Sequence, residues 1–136
     1  MSLPMVIVCE RDSRWTPELQ RQNESGLIRI RRCTAISEIE GVLTPTIDAV
    51  VVLALDEALA DGLRFLDRMR QRSNNMPVVV VGSEATESLE WVVRESGAKA
   101  FVSDTTTGPQ LARICQQLLQ SSRDGNHTTQ LKSRAE

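Results

Sequence analysis

Two unbroken apolar runs near the middle of the chain constrain its fold more than any other feature. They are "IDAVVVLAL" at 47–55 and "MPVVVVG" at 76–82. Neither run alternates apolar and polar residues along its apolar core, and both are far too short to span a membrane. A strand has this pattern when helices cover both faces of its sheet, as in a parallel sheet. These runs therefore predict the centre of a parallel sheet.

Three weaker strand patterns and five helical patterns complete the prediction. The strands are "MVIV" (5–8), "LIRIRRC" (27–33) and "AKAFVS" (98–103), and the helices lie within 13–25, 34–43, 61–75, 83–97 and 108–120. Strands and helices thus alternate along the chain, which is typical of an α/β fold. We expect one doubly wound, parallel, five-stranded sheet in the flavodoxin-like order 2-1-3-4-5, with helices on both faces.

Single residues refine this prediction. Thr16 is expected to cap the first helix, with Pro17 at its first position and Gly26 at its end. The second strand carries three arginines, which suit an exposed sheet edge because charge discourages unwanted pairing. The last helix has a continuous apolar stripe for the core, formed by Leu111, Ile114, Cys115, Leu118 and Leu119.

Composition excludes several classes of protein. The chain has 136 residues, enough for one domain, here placed at 1–120 and followed by a polar tail or linker at 121–136. A net charge of −2 argues against direct nucleic-acid binding, and no segment predicts a signal peptide or a membrane span. The three separated cysteines suggest reduced, buried thiols in a cytoplasmic protein.

Catalytic and cofactor-binding patterns are missing from the sequence. The only histidine, His127, lies in the polar tail, and the chain has no tyrosine. No residues have metal-ligand spacing, and no glycine-rich phosphate loop is present. We therefore expect that the protein is not an enzyme and that it binds neither a cofactor nor a resident metal.

Three stretches resemble the receiver domains of response regulators. They are "DAVVVLALDEALADGLRFLDRMR" (48–70), "MPVVVVGSEA" (76–85) and "ESGAKAFVSD" (95–104). The resemblance covers roughly residues 5–120. It implies a cytoplasmic signalling module of the two-component or phosphorelay type. In such domains an aspartate accepts a phosphoryl group, two acids hold Mg²⁺, and a Thr or Ser and a Lys contact the phosphoryl oxygens.

The corresponding positions in this chain have lost most of that chemistry. The resemblance places the degenerate phosphoacceptor pocket at Cys9, Glu10, Leu53, Gly82 with its neighbour Ser83, and Asp104. Leucine cannot be phosphorylated, and Asp104 reverses the charge of the usual lysine. Only Glu10 keeps its chemical type. The chain therefore resembles a pseudo-receiver that cannot be phosphorylated.

Acidic residues after the strands offer weaker candidates. Asp56 lies three residues beyond Leu53, roughly 10 Å along an extended chain, and is therefore not expected to replace the acceptor. Glu10, Asp12, Asp56 and Asp104 could hold a divalent cation, although a solvated acidic rim is the favoured interpretation. Cys9 is expected to be a buried thiol with no reactive role.

The fourth helix is the candidate surface for partners or self-association, together with the fifth strand and the fifth helix. Its apolar residues are too many for one face, and the candidate interface consists of Leu89, Trp91, Val92 and Phe101. The register of the resemblance predicts Trp91 and Val93 inside and Leu89 and Val92 outside. The alternative is that Leu89 and Val92 pack on a neighbouring element.

Two further alternatives concern the whole chain. It could be a small flavodoxin-like ligand-binding or enzymatic domain, or the N-terminal regulatory domain of a longer regulator.

Overall fold

The computed structural model describes residues 3–42, 48–55, 59–71 and 76–123. Its five strands are all parallel to their neighbours and form one sheet in the order 2-1-3-4-5, which confirms the prediction. They are β1 (Met5–Cys9), β2 (Arg29–Cys33), β3 (Ala49–Ala54), β4 (Val78–Gly82) and β5 (Ala100–Ser103). Every strand therefore ends at the same edge of the sheet.

Helices cover both faces of this sheet. They are α1 (Trp15–Gln22), α2 (Ile36–Val42), α3 (Leu59–Gln71), α4 (Glu90–Glu95) and α5 (Gly108–Arg123), and a 3-10 helix (Glu84–Leu89) precedes α4. The buried residues separate into two clusters, one beneath α1 and α5 and the other beneath α2, α3 and α4. No helix of the described ranges is long and apolar enough to cross a membrane.

The unbroken run of β3 is explained by these two clusters. Val50 and Val52 pack toward α1 and α5, whereas Val51 and Leu53 pack toward α2 and α3. All four are buried. A strand that is covered on both faces has no position for a polar side chain, as the sequence predicted.

The second strand lies at the edge of the sheet, also as predicted. Arg29 and Arg31 are exposed, while Ile30 and Arg32 are half-buried. The stripe of α5 is likewise confirmed, since Leu111, Cys115 and Leu119 are buried, and Ile114 and Leu118 pack against the same cluster.

The ends of three helices differ from the prediction. One of these, α3, begins at Leu59, two residues before the expected start. Thr16 is not a cap, because α1 already begins at Trp15 and Thr16 is buried within it. This helix ends at Gln22, and Gly26 lies in the turn that follows, with φ of 68°. The last helix continues past Gln120 to Arg123.

The predicted inward orientation of Trp91 is wrong: this side chain is 69% exposed, whereas Val93 is buried as expected. Leu89 and Val92 are half-buried, not fully outside. Trp91 and Val93 both lie in α4, where positions two apart are separated by about 200° around the helix. The one buried side of this short helix therefore holds Val93, and Trp91 lies on the opposite side in solvent.

Candidate functional site

The carboxyl ends of the strands border two clefts. The larger, of about 460 Å³, lies between the ends of β1 and β3 and the starts of α2 and α3. The smaller, of about 140 Å³, lies between the ends of β1, β3 and β4, the Asp104 turn and the start of α1. Cys9 and Leu53 line the larger cleft, Gly82, Ser83 and Asp104 line the smaller one, and Glu10 lines both. The six pocket positions are therefore divided between two spaces.

Leu53 forms part of an apolar floor. Its side chain is only 1% exposed and belongs to the cluster that contains Phe65 of α3. On the sheet it pairs with Cys9 of β1 and Val80 of β4, both of which are buried. No nucleophilic oxygen stands at this point of the sheet.

The carboxylate of Glu10 caps the first helix. One oxygen accepts hydrogen bonds from the backbone N–H groups of Arg14 (3.1 Å) and Trp15 (2.8 Å). The other accepts from the backbone N–H of Thr16 (2.9 Å) and from its hydroxyl group (2.7 Å). Glu10 is 4% exposed. The first amides of a helix need acceptors and favour negative charge, so this buried carboxylate supplies both.

Both oxygens of Glu10 are therefore already occupied. A cation bound to them would compete with the four donors that begin α1. Sequence reasoning assigned the cap to Thr16 because side-chain caps usually come from the residue at the helix start. Here the acceptor comes from the end of β1, six residues before Thr16.

Two arginines near the same strand end were not predicted as site residues. The guanidinium group of Arg32 donates to the carbonyl oxygens of Glu10 (3.3 Å) and Arg11 (2.6 Å), and its Nε lies 3.9 Å from a Glu10 carboxylate oxygen. The guanidinium group of Arg14 donates to the carbonyl oxygen of Asp104. It also lies over the Trp15 ring, 4.3 Å from the centroid, where a cation–π contact is favourable.

Gly82 lies directly against an aromatic ring. A Cβ atom at this position would stand 2.3 Å from Cζ of Phe101 and 2.7 Å from Oγ1 of Thr86. Thr86 is buried, and its hydroxyl accepts a hydrogen bond from the Ser83 backbone N–H (2.9 Å). A Thr or Ser side chain at residue 82 would therefore collide with its neighbours.

The acidic rim does not form a metal centre in the part of the chain that the structure describes. Within these ranges no three His, Cys, Asp or Glu residues come together in a way that could hold an ion. Asp12 is exposed, and Asp104 is half-buried with its backbone N–H donating to the Gly82 carbonyl oxygen (2.8 Å). Asp56 lies outside the described residues.

The thiol groups are buried, as expected for Cys9. Burial, together with the negative potential of Cys33, Glu38 and Glu10, raises the pKa of Cys9 to about 11. Burial also raises the pKa of Cys115 to about 12. A thiol of this kind is weakly nucleophilic at neutral pH, since the thiolate is the reactive form.

Of the candidate interface residues, Leu89 ends the 3-10 helix, Trp91 and Val92 lie on α4, and Phe101 lies on β5. Trp91 is strongly exposed, Leu89 and Val92 are half-buried, and the Phe101 ring is half-buried against Gly82. The ion pair between Arg94 and Glu90 (2.8 Å) lies on the same short helix. The structure thus places one large aromatic side chain in solvent on this face.

Comparisons with known structures agree on the fold. The chain is similar to the response regulator StyR (16% identity, TM-score 0.77, covering 98% of this chain and 67% of that one). It is also similar to the receiver domain of Francisella response regulator 1452 (17%, 0.71, 88% and 98%). The non-phosphorylated HemR receiver domain of Leptospira biflexa is a third neighbour (20%, 0.69, 85% and 94%). No family model and no curated protein matches the sequence.

Proposed function

We propose that the chain, which has the fold of response-regulator receiver domains, is a signalling module of the two-component type that accepts no phosphoryl group and has no enzymatic activity. It would act through protein–protein contact or dimerisation. The observation that carries this proposal is the engagement of Glu10, the one pocket position that keeps an acidic residue. Its carboxylate is buried and saturated by the start of α1.

The charges around the smaller cleft support the same proposal. Phosphoryl transfer needs positive charge, from a metal ion or a lysine, near the oxygens of the transferred group. Glu10, Asp12 and Asp104 line this cleft against two arginines, Arg11 and Arg14, so acids outnumber bases there. The Arg14 guanidinium is engaged by the Asp104 carbonyl oxygen and the Trp15 ring. Leu53, at the position of the acceptor, supplies no nucleophile.

The phosphorylation test uses a small-molecule phosphodonor with Mg²⁺, followed by intact mass spectrometry. A receiver domain known to be phosphorylated serves as the positive control in the same reaction. We expect no stoichiometric adduct on this chain. A stoichiometric adduct on any aspartate, including Asp56, would refute the proposal.

The proposed interaction surface consists of α4, β5 and α5, with Trp91 at its centre. Exposed tryptophan is enriched among the residues that dominate binding energy at interfaces, and Trp91 is 69% exposed. Leu89 and Val92, two residues before it and one residue after it, are apolar and half-buried. Partner binding, in place of phosphorylation, would then supply regulation.

Self-association through this surface is tested by measuring mass in solution over a range of concentrations. Trp91→Glu should reduce self-association. Leu27→Glu is the matched control, because Leu27 is also apolar and 64% exposed but lies before β2. A wild-type chain that stays monomeric at every concentration, or an equal effect of both substitutions, would refute dimerisation through α4.

The larger cleft favours a second candidate, a small ligand-binding domain. It lies at the carboxyl ends of β1 and β3, where the strand order reverses, and ligands of open α/β sheets bind at such points. Its volume of about 460 Å³ is in the range of small-molecule pockets. A thermal-shift screen with nucleotides and flavins separates the two candidates: clear stabilisation would favour ligand binding.

A further inference from the structure

The outer side of β2 is a free edge of the sheet, because β2 has β1 as its one neighbour. Arg29 donates its backbone N–H to the carbonyl oxygen just before β1 (2.8 Å), and the Cys33 carbonyl oxygen accepts the N–H just after β1 (3.0 Å). Alternate residues of a strand direct their backbone groups to opposite sides. The N–H and C=O groups of Ile30 and Arg32 therefore point away from the sheet.

Side chains already occupy both ends of this outward row. The Asn23 carboxamide donates to the Ile28 carbonyl oxygen (2.5 Å) and accepts from the Ile28 backbone N–H (3.4 Å). At the other end, Glu38 accepts from the first backbone N–H after β2 (3.1 Å). Among the described residues, nothing bonds to the outward groups of Ile30 and Arg32 between them. A carboxamide has the donor and acceptor of a peptide bond, so this edge already pairs with one peptide-like group.

The two faces of the edge differ in chemistry. Arg29 and Arg31 lie two positions apart, so their side chains leave the same face of the strand. Both are exposed, and neither forms a salt bridge within the described ranges. On the other face, Ile28 and Ile30 pack against the cluster of α1 and α5 and line a small hollow with Leu19. A strand placed beside β2 would meet positive charge on one face and apolar surface on the other.

We propose that this edge binds an extended acidic segment of a partner protein, which joins the sheet as an additional strand beside β2. The backbone of the segment bonds to the outward groups of Ile30 and Arg32. Its alternate side chains are acids beside Arg29 and Arg31 and apolar residues beside Ile30. In strand addition, main-chain bonds give affinity and alternate side chains give specificity. The edge lies at the opposite end of the sheet from β5, so it is separate from the surface around α4.

Charge distinguishes this occupant from two others. Two copies paired through β2 would bring their arginines together, and like charges on adjacent strands are destabilising. A nucleic acid could contact Arg29 and Arg31, but it lacks the alternating donors and acceptors of a strand, and the net charge of −2 disfavours it. Glu38 acts electrostatically on Arg31, but its carboxylate is already bonded to the start of α2.

The probe is a fluorescent peptide of alternating glutamate and valine, and its binding to the full chain is measured by fluorescence anisotropy. A peptide with lysine in place of glutamate is the charge control. The acidic peptide N-methylated at alternate bonds is the backbone control, because it keeps the charge and loses donors. We expect the unmodified acidic peptide alone to bind, and more weakly as salt increases.

Substitutions locate the binding on the molecule. Arg29→Glu and Arg31→Glu should each weaken binding about three- to tenfold, since each replaces an attraction by a repulsion. Arg113→Glu is the matched control, because Arg113 is an exposed arginine of α5 and the change in net charge is the same. This variant should bind as the wild type does, and so should Trp91→Glu, which separates the result from the proposal for α4.

Several results would overturn the proposal. They are no binding of the acidic peptide up to about 1 mM, equal binding of the N-methylated peptide, and equal weakening by Arg113→Glu. Tighter binding of a single-stranded oligonucleotide that Arg29→Glu and Arg31→Glu weaken would assign the edge to nucleic acid. A dimer that forms without peptide and that Ile30→Pro dissociates, through loss of the outward N–H, would assign it to a second copy.

Discussion

The substitution Glu10→Gln isolates the role of the buried carboxylate, because it keeps the size of the side chain and removes one acceptor oxygen. In the wild type that oxygen receives either the Arg14 and Trp15 amides or the two donors of Thr16. Two charge-assisted bonds are lost, which together cost about 3–6 kcal/mol. The lost negative charge at the helix start adds about 0.3–1 kcal/mol. We therefore expect a decrease of about 3–7 kcal/mol in the free energy of unfolding.

Urea and thermal unfolding measure this decrease, with a Tm shift on the order of 10 °C expected. Trp15 is a suitable fluorescence reporter, because it is buried in the helix whose cap is changed. Glu38→Gln is the matched control. Glu38 accepts hydrogen bonds from Thr34 and the Ala35 amide in the same manner but is exposed, so its loss should be smaller.

Two results would refute the reasoning. If the free energy of unfolding of Glu10→Gln were within about 0.5 kcal/mol of the wild-type value, which is the range of ordinary surface substitutions, the cap would not contribute to stability. If Mg²⁺ stabilised the wild type but not Glu10→Gln, the carboxylate would be a metal ligand. The second result would also weaken the proposed loss of phosphotransfer.

Two other predictions follow from contacts described above. Gly82→Ala should lower the free energy of unfolding by about 1–3 kcal/mol, since its Cβ would stand 2.3 Å from the Phe101 ring. Urea unfolding should show a smaller decrease when the substitution is made in a Phe101→Leu background, and an equal decrease would contradict the clash. The raised pKa of Cys9 predicts that stability falls as pH rises from about 9 to about 11, because the unfolded thiol ionises first. Cys9→Ala should lose less stability over that interval, as urea midpoints at several pH values would show.

Most of the fold follows from local patterns in the sequence. The runs through β3 and β4 identify strands covered on both faces, and the arginines of β2 identify an edge. The 3-10 helix before α4 carries no such pattern, because its side chains satisfy a helical interpretation in either form. Which of Trp91 and Val93 occupies the one buried side of α4 is likewise visible only in the three-dimensional structure.

The candidate site was less predictable. The sequence identifies which residue types occupy the pocket positions. At the position of the phosphoacceptor it has Leu53, and the structure buries this apolar side chain. It does not identify the partners of Glu10, since the usual caps lie next to the helix they serve. The contact between Arg14 and Asp104 joins residues 90 positions apart, and no periodicity encodes a contact over that distance.

The link from Arg14 to the Asp104 carbonyl oxygen has a consequence for recognition. This hydrogen bond connects the start of α1 to the turn between β5 and α5, and the guanidinium also makes a cation–π contact with the Trp15 ring. This bond, together with the bond from the Asp104 backbone N–H to the Gly82 carbonyl oxygen, restrains the turn that follows β5. A surface that is already ordered loses little conformational entropy on association. A partner that contacted this turn would therefore meet a restrained backbone, and its affinity would depend more on the contacts that it makes than on a rearrangement of the turn.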